Sequence, residues 1–319
     1  MYGSTAKAIS HYKDTKNLLK LRILTENYFA PHQTLCRKNR YLWDKINAKM
    51  IDHLLQPLVC ERFQTDARYR EGHLRVVNAL PERLVVGLHS PEIKQVAKQL
   101  SRMGGEVAMP DGMRRFCMGG AEVIRAFEAV PSESLCYEET VIWGYLINLE
   151  KCSLEERLAM LGRYVPVLDN WAVCDSYCAH AKWMARADKA ALWAFLERWF
   201  DSKREFEVRF AVVVAMCYFL GKEWFDKVFE RINRLDFGRI KSKYKSVKGK
   251  PKVAQQGTVQ GAEPYYVRMG VAWLLATALA KFPDQTKTFV RSSNLPADVV
   301  KLYIRKARES LRTRTVEAV

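Results

Sequence analysis

Ser202-Lys-Arg-Glu-Phe-Glu-Val-Arg-Phe-Ala-Val-Val-Val-Ala-Met-Cys-Tyr218 opens on a serine and a glutamate three positions apart and continues as a long apolar run. A serine hydroxyl accepts from the third backbone N–H of a helix, and a glutamate there reaches back to the serine's own N–H. Ser202 and Glu205 therefore read as a capping box at a helix start. A run this apolar on most of its sides is buried between other elements. Working outward, Ser153-Leu-Glu-Glu156 repeats the box, and Ser90-Pro91 supplies an N-cap and a first helical position before 92–100. Asp188 opens Lys189–Phe200, Pro264 opens Tyr265–Lys281, and Asp284 and Asn294 open the last two helices. Residues 120–312 thus predict about ten helices joined by short polar turns, in pairs of about 30 to 45 residues. Strand signals are scarce, so the fold class expected is all-α, an α-solenoid or α–α superhelix.

Two segments depart from this pattern. Residues 238–262 carry seven basic and no acidic residues among Gly, Gln and Ser, and predict a flexible basic loop. Residues 103–120, bounded by glycines, predict a second loop. Residues 1–50, with 10 basic and 3 acidic residues, read as a basic extension of uncertain order, and 51–319 as one helical domain with the two loops inserted. The net charge is +17, from 52 Lys and Arg against 35 Asp and Glu, and the excess lies in the extension, the 238–262 segment and the region after Lys281. An excess of this size points to a polyanion, nucleic acid first; the alternative is a solubilising tail and a solvated loop. The apolar runs at 212–220 and 271–280 are too short to cross a membrane, and the N-terminus lacks an apolar signal core. The eight cysteines sit mostly in helical runs rather than in a loop framework, so a reduced cytoplasmic protein is expected.

Three helices expected to be buried each hold a residue that apolar packing does not explain. In Asp169-Asn-Trp-Ala-Val-Cys-Asp-Ser-Tyr-Cys178, Trp171 and Asp175 share one face a turn apart. Arg209 opens the otherwise apolar run from Val208 to Ala215, and Trp273 follows Tyr265, Tyr266 and Arg268. On residue chemistry alone the set reads first as a buried Asp175–Arg209 ion pair with two core tryptophans, because an ionised carboxylate among Val173, Cys174 and Cys178 needs a partner. Cys174, Cys178 and His180 lack a second ligand pair at zinc spacing, so no metal is expected. No phosphate-binding loop, dinucleotide fingerprint or nucleophile elbow is present.

From about 52 to 311 the chain resembles the HEAT-like-repeat DNA alkylation repair (AlkD-like) family. The resemblance rests on Asp66-Ala-Arg-Tyr-Arg70, Leu84-Val-Val-Gly-Leu-His-Ser-Pro91 with Lys94 and Lys98, and Tyr137-Glu-Glu139. It continues in Asp169-Asn-Trp-Ala-Val-Cys-Asp-Ser176, Val208-Arg-Phe210 and Tyr265 to Trp273. By motif position it implies that Asp175, Trp171 and Trp273 are catalytic and face the lesion nucleotide. It also implies that Arg209 lies beside the DNA backbone, with Tyr265, Tyr266, Arg268 and Lys94 as further DNA contacts. His89 and Lys94 stand where the family usually has arginine, the two loops are additions, and the match begins just after Met50, a candidate start.

The resemblance implies a monofunctional DNA glycosylase, probing duplex DNA with a concave basic surface and excising cationic alkylated purines such as 3-methyladenine and 7-methylguanine. No cofactor and a monomeric state are expected. Excision is implied without rotation of the base into a deep pocket, unlike most glycosylases. A non-catalytic helical-repeat module binding damaged or branched DNA is the alternative, and a protein-binding scaffold with solubilising loops is the third.

Overall fold

The computed structural model describes residues 55–102, 105–108, 114–117, 119–247, 250–253 and 264–319. The 1–50 extension and parts of both expected loops lie outside the described residues. The chain runs through α1 (Glu61–Thr65), α2 (Ala67–Val77), α3 (Ser90–Arg102), a hairpin of β1 (Gly105–Ala108) and β2 (Arg114–Cys117), α4 (Gly120–Ala129) and α5 (Tyr137–Leu149). There follow α6 (Leu154–Tyr164), α7 (Trp171–His180), α8 (Lys189–Phe200), α9 (Glu205–Tyr218) and α10 (Phe225–Asn233). After a second hairpin, β3 (Tyr244–Val247) with β4 (Lys250–Val253), come α11 (Tyr265–Lys281), α12 (Pro283–Ser292) and α13 (Ala297–Glu309). The fold is all-α, and ten of the helices lie between Gly120 and Glu309, the number expected from capping and periodicity.

The chain divides into two compact units. One holds the residues up to Arg70 together with Leu84–Glu150, the other Glu71–Arg83 together with Lys151–Val319. In the first unit α3, α4 and α5 pack on one another. Every residue of α5 from Tyr137 to Ile147 is buried, and each fully buried large apolar side chain contributes about 1.5–3 kcal/mol. The Glu138 carboxylate, also buried, accepts from the amides of Val86 (2.9 Å), Gly87 (2.7 Å) and Leu88 (3.2 Å). Burial pushes its carboxyl up, and these three donors oppose the rise. Gly87 makes the turn possible: its φ is +103°, and a Cβ there would stand 2.3 Å from the Phe63 ring. The Gly87 and Glu138 stretches that carry the family resemblance thus serve the fold.

In the second unit the helices alternate. α7 packs on α9, α9 on α11 and α11 on α13, while α8 lies against α9 and α12 against α11. This is a stack of helical pairs, and α9 and α11, flanked by helices on two sides, are apolar nearly all round. Ser153 forms its expected box with Glu156, and Asp188 caps α8 through Ala190 and Ala191. The box at Ser202 does not form. α9 starts at Glu205, Ser202 instead accepts from the Arg204 amide (2.9 Å), and the Glu205 carboxylate is used elsewhere.

The flexible loop expected over 238–262 is a correction for its described part. Phe237–Arg239 makes a 3-10 turn capped by Asp236, Ile240 and Ser242 are buried, and Tyr244 is fully buried at the start of β3. β3 and β4 pair antiparallel, Tyr244 opposite Val253 and Lys245 opposite Lys252. The 103–120 segment likewise contains a short hairpin, Gly105 opposite Cys117. No described helix is long and apolar enough to cross a membrane.

Candidate active site

The site is built on the N-terminus of α7. Asn170 caps that helix, its Oδ1 accepting from the Ala172 amide at 2.7 Å. Its Nδ2 donates to the carbonyls of Val77 (2.8 Å) and Asn78 (3.2 Å). Asn78 ends α2 with φ +50°, a left-handed position that asparagine tolerates better than most residues. Its own Nδ2 donates to the Tyr266 hydroxyl (2.9 Å), and its carbonyl accepts from the Tyr244 hydroxyl (2.9 Å). One residue before the cap, Asp169 is paired with buried Arg83 at 2.6 and 3.0 Å. The start of α7 is thus tied by polar bonds to the C-terminal end of α2, to α11 and to the β3–β4 hairpin, all within the second unit.

From that fixed start, Trp171 and Asp175 rise on one face of α7. Asp175 meets Arg209 of α9 in a bidentate pair, Nε to Oδ1 at 3.0 Å and Nη2 to Oδ2 at 2.7 Å. The two ends differ in exposure: the arginine side chain is 4% accessible and the aspartate 16%. Arg209 also donates through Nη1 to the Tyr266 carbonyl at the start of α11. Burial alone would lower the guanidinium pKa; the Asp175 charge and hydrogen bonds outweigh it, and the net direction is up. One turn before Arg209 on the same helix, buried Glu205 accepts from the Tyr266 amide (2.6 Å) and from the Ser242 hydroxyl. Burial pushes the Glu205 carboxyl up to about 7, against those hydrogen bonds and the Arg209 charge.

The tryptophans are not core residues, as the simplest reading of the sequence has them. Trp171 is half-buried, and Trp273 of α11 is 39% exposed. Three residues before Trp273, Gly270 lies against the Arg209 side chain, where a Cβ would stand 3.5 Å from Nη1. The ion pair of the same reading is present. The second unit therefore holds a fixed carboxylate that retains some solvent access, and two indoles with open surface.

The residues expected at the DNA backbone are placed differently from one another. Arg209 is buried, with its donors directed to Asp175 and Tyr266, which leaves it no open face for a phosphate. Tyr266 is buried too, its ring against Phe206 (5.4 Å) and Tyr244 (5.0 Å). Tyr265 is half-buried; Arg268 is half-buried and paired with Asp298; Lys94 is half-buried on α3 of the other unit. Glu205, Asn78 and Tyr244 were not singled out from the sequence. A glutamate four residues before Arg209 in an apolar helix is the same anomaly as Arg209 itself, and an asparagine closing a helix is a left-handed cap signal. Among the described residues no three His, Cys, Asp or Glu side chains gather so as to hold a metal ion.

Residues 136–236 match the DNA alkylation repair enzyme family. The matched segment begins at the N-cap of α5 and ends after α10, so it contains Trp171, Asp175, Glu205 and Arg209 but not Trp273. The match covers under half of the chain; it supports a role in alkylation repair and suggests DNA as a partner. No curated protein and no solved structure matches the chain.

Proposed function

We propose that the chain is a monofunctional glycosylase that releases cationic alkylated purines from duplex DNA, with Asp175 as the catalytic carboxylate. The observation that carries this reading is the Asp175–Arg209 pair, in which the cation is sealed and the carboxylate is not. Each carboxylate oxygen accepts one arginine N–H and keeps a further lone-pair direction. Arg209 is then a positioning residue: its two hydrogen bonds hold the carboxylate in one orientation. A purine methylated at its 3 or 7 nitrogen carries positive charge and leaves without a strong general acid. As the glycosidic bond breaks, its electron pair neutralises the departing ring and the sugar becomes oxocarbenium-like. Asp175 stabilises that cation and orients the water that adds to C1′, whose proton is lost. The indole faces of Trp171 and Trp273 attract the cationic base, by about 0.5–2 kcal/mol each. Neither metal nor organic cofactor has a part in this scheme.

The alternative, a DNA-binding module without catalysis, draws on the same pair, since both oxygens already have a partner. Single-turnover release of labelled base from methylated duplex separates the two. Removing an electrostatic contribution of this kind typically lowers a rate by about a hundredfold or more, and that loss is expected of Asp175→Asn with duplex binding retained. Asp175→Asn leaves Arg209 buried without its counter-ion, which destabilises by about 3–5 kcal/mol. The control is therefore Asp175→Leu/Arg209→Met, in which no charge is stranded. That variant should recover thermal stability and still release no base. Wild-type release at the uncatalysed rate would leave the binding module as the reading.

A further inference from the structure

A cavity of about 420 Å³ lies between α11 and the C-terminal end of α13. Its α11 wall is a single stripe, Trp273, Thr277 and Lys281 at four-residue spacing, so the indole and the ammonium stand two turns, about 12 Å, apart along the helix. The opposite wall adds Lys306 and Arg312. Against these three cations the lining holds one acid, Glu309, 2.7 Å from Lys306. Arg312 sits on a segment that is itself fixed. Its amide meets the Ser310 hydroxyl at 3.3 Å, the Thr313 hydroxyl donates to the Ala307 carbonyl at 2.7 Å, and the Tyr303 hydroxyl donates to the Ala318 carbonyl at 2.7 Å. The residues after α13 are in this way folded back on it, and the cations line a concavity of ligand size.

We propose that this cavity is a phosphate site, which takes the backbone of the nucleic-acid strand lying against Trp273. The proposal rests on DNA being the partner and extends the contact surface beyond the residues matched by motif. An open π face beside cations that line both walls of one concavity is the pattern that suits a strand, in which stackable bases alternate with phosphates. An acidic peptide would use the cations and leave the indole in water. Arg209 and Tyr266, the residues expected at the backbone, are themselves too buried to contact it.

The test is binding of a fluorescein-labelled, undamaged duplex to the full chain, followed by anisotropy across a salt series. The cavity variant is Lys281→Gln/Lys306→Gln/Arg312→Gln. Its control is Lys301→Gln/Arg305→Gln/Arg308→Gln, which removes the same charge from the residues lining a neighbouring depression on α13. The cavity variant should bind about tenfold or more weakly at low salt, with the log–log salt slope smaller by about 2 to 3, and Arg312→Gln alone should lower the slope by about 1. The control should keep nearly the wild-type slope. Equal losses in the two triple variants, or no loss in the cavity variant, would overturn the proposal in favour of diffuse charge. Base release is measured separately. A chain that releases no base yet loses its slope only in the cavity variant disproves the glycosylase reading and retains the phosphate site.

Discussion

Glu205 concentrates the electrostatics of the site in one residue. Buried at the head of α9, it receives the Tyr266 amide and the Ser242 hydroxyl, and its carboxyl is pushed up to about 7 chiefly by burial. The unfolded chain ionises this group near the ordinary 4.5, so between these values the native state binds the extra proton. Its contribution to stability is therefore full below the lower value and lost as pH rises through the upper one. Glu205→Gln keeps an acceptor for Tyr266 and a polar partner for Ser242, and abolishes the titration. The variant's stability relative to wild type should grow between about pH 5 and about pH 8, towards a gain on the order of 3 kcal/mol at about 1.4 kcal/mol per pKa unit. Thermal midpoints of both proteins across that range decide it, and a pH-independent difference would mean that Glu205 is ionised throughout. Arg209 shows what residue-level reading does reach. A charged residue inside an apolar helix announces a partner, and Asp175 was the evident one. The sequence could not tell how the burial divides between the two ends, because that depends on how α7 and α11 close over α9.

At the scale of elements, the β3–β4 hairpin shows how averaging over a segment misleads. Counting charges over 238–262 makes it a solvated loop. Two apolar side chains, Ile240 and Tyr244, root it instead. The Tyr244 hydroxyl holds the Asn78 carbonyl at 2.9 Å and lies 3.3 Å from that of Asp169, beside the α7 cap. Tyr244→Phe removes one donor from these half-buried acceptors, of which the Asn78 carbonyl keeps the Asn170 side-chain amide, and a loss of about 1 kcal/mol is expected. Deleting 238–262 should lower the thermal midpoint further, whereas Lys250→Gln/Lys252→Gln should leave it unchanged. A deletion with the wild-type midpoint would return the segment to a solvated loop. Helices were legible because their signals are local: the Ser153 and Asp188 caps each involve neighbours within three residues. The Ser202 box failed for the opposite reason. Glu205 finds Ser242 and Tyr266, far away in sequence, and those tertiary bonds displace the local one.

For the whole molecule, a net charge of +17 and the alkylation-repair match over 136–236 point to DNA, and under the proposal that Asp175 is the catalytic carboxylate its chemistry limits which lesions could be removed. A carboxylate can stabilise a sugar cation, but it cannot also protonate a leaving base. Arg209, fully engaged and strongly basic, has no proton to offer. The substrate must therefore bring its own positive charge. Wild type should release 7-methylguanine and 3-methyladenine and leave uracil and hypoxanthine in place, because neutral leaving bases need acid assistance. Trp171→Ala and Trp273→Ala should slow release of the cationic bases less than Asp175→Asn does, since an indole face supplies about 0.5–2 kcal/mol against about 2.7–4 kcal/mol for the carboxylate. The effect of the two indoles on duplex binding should vanish for a neutral isostere of the lesion, whose ring no longer attracts a π face. The measurement is single-turnover release with protein in excess, on duplexes that differ only in the lesion. Release of uracil at a rate near that of 7-methylguanine would show that the chain supplies a proton after all, and would remove Asp175 from the role assigned to it.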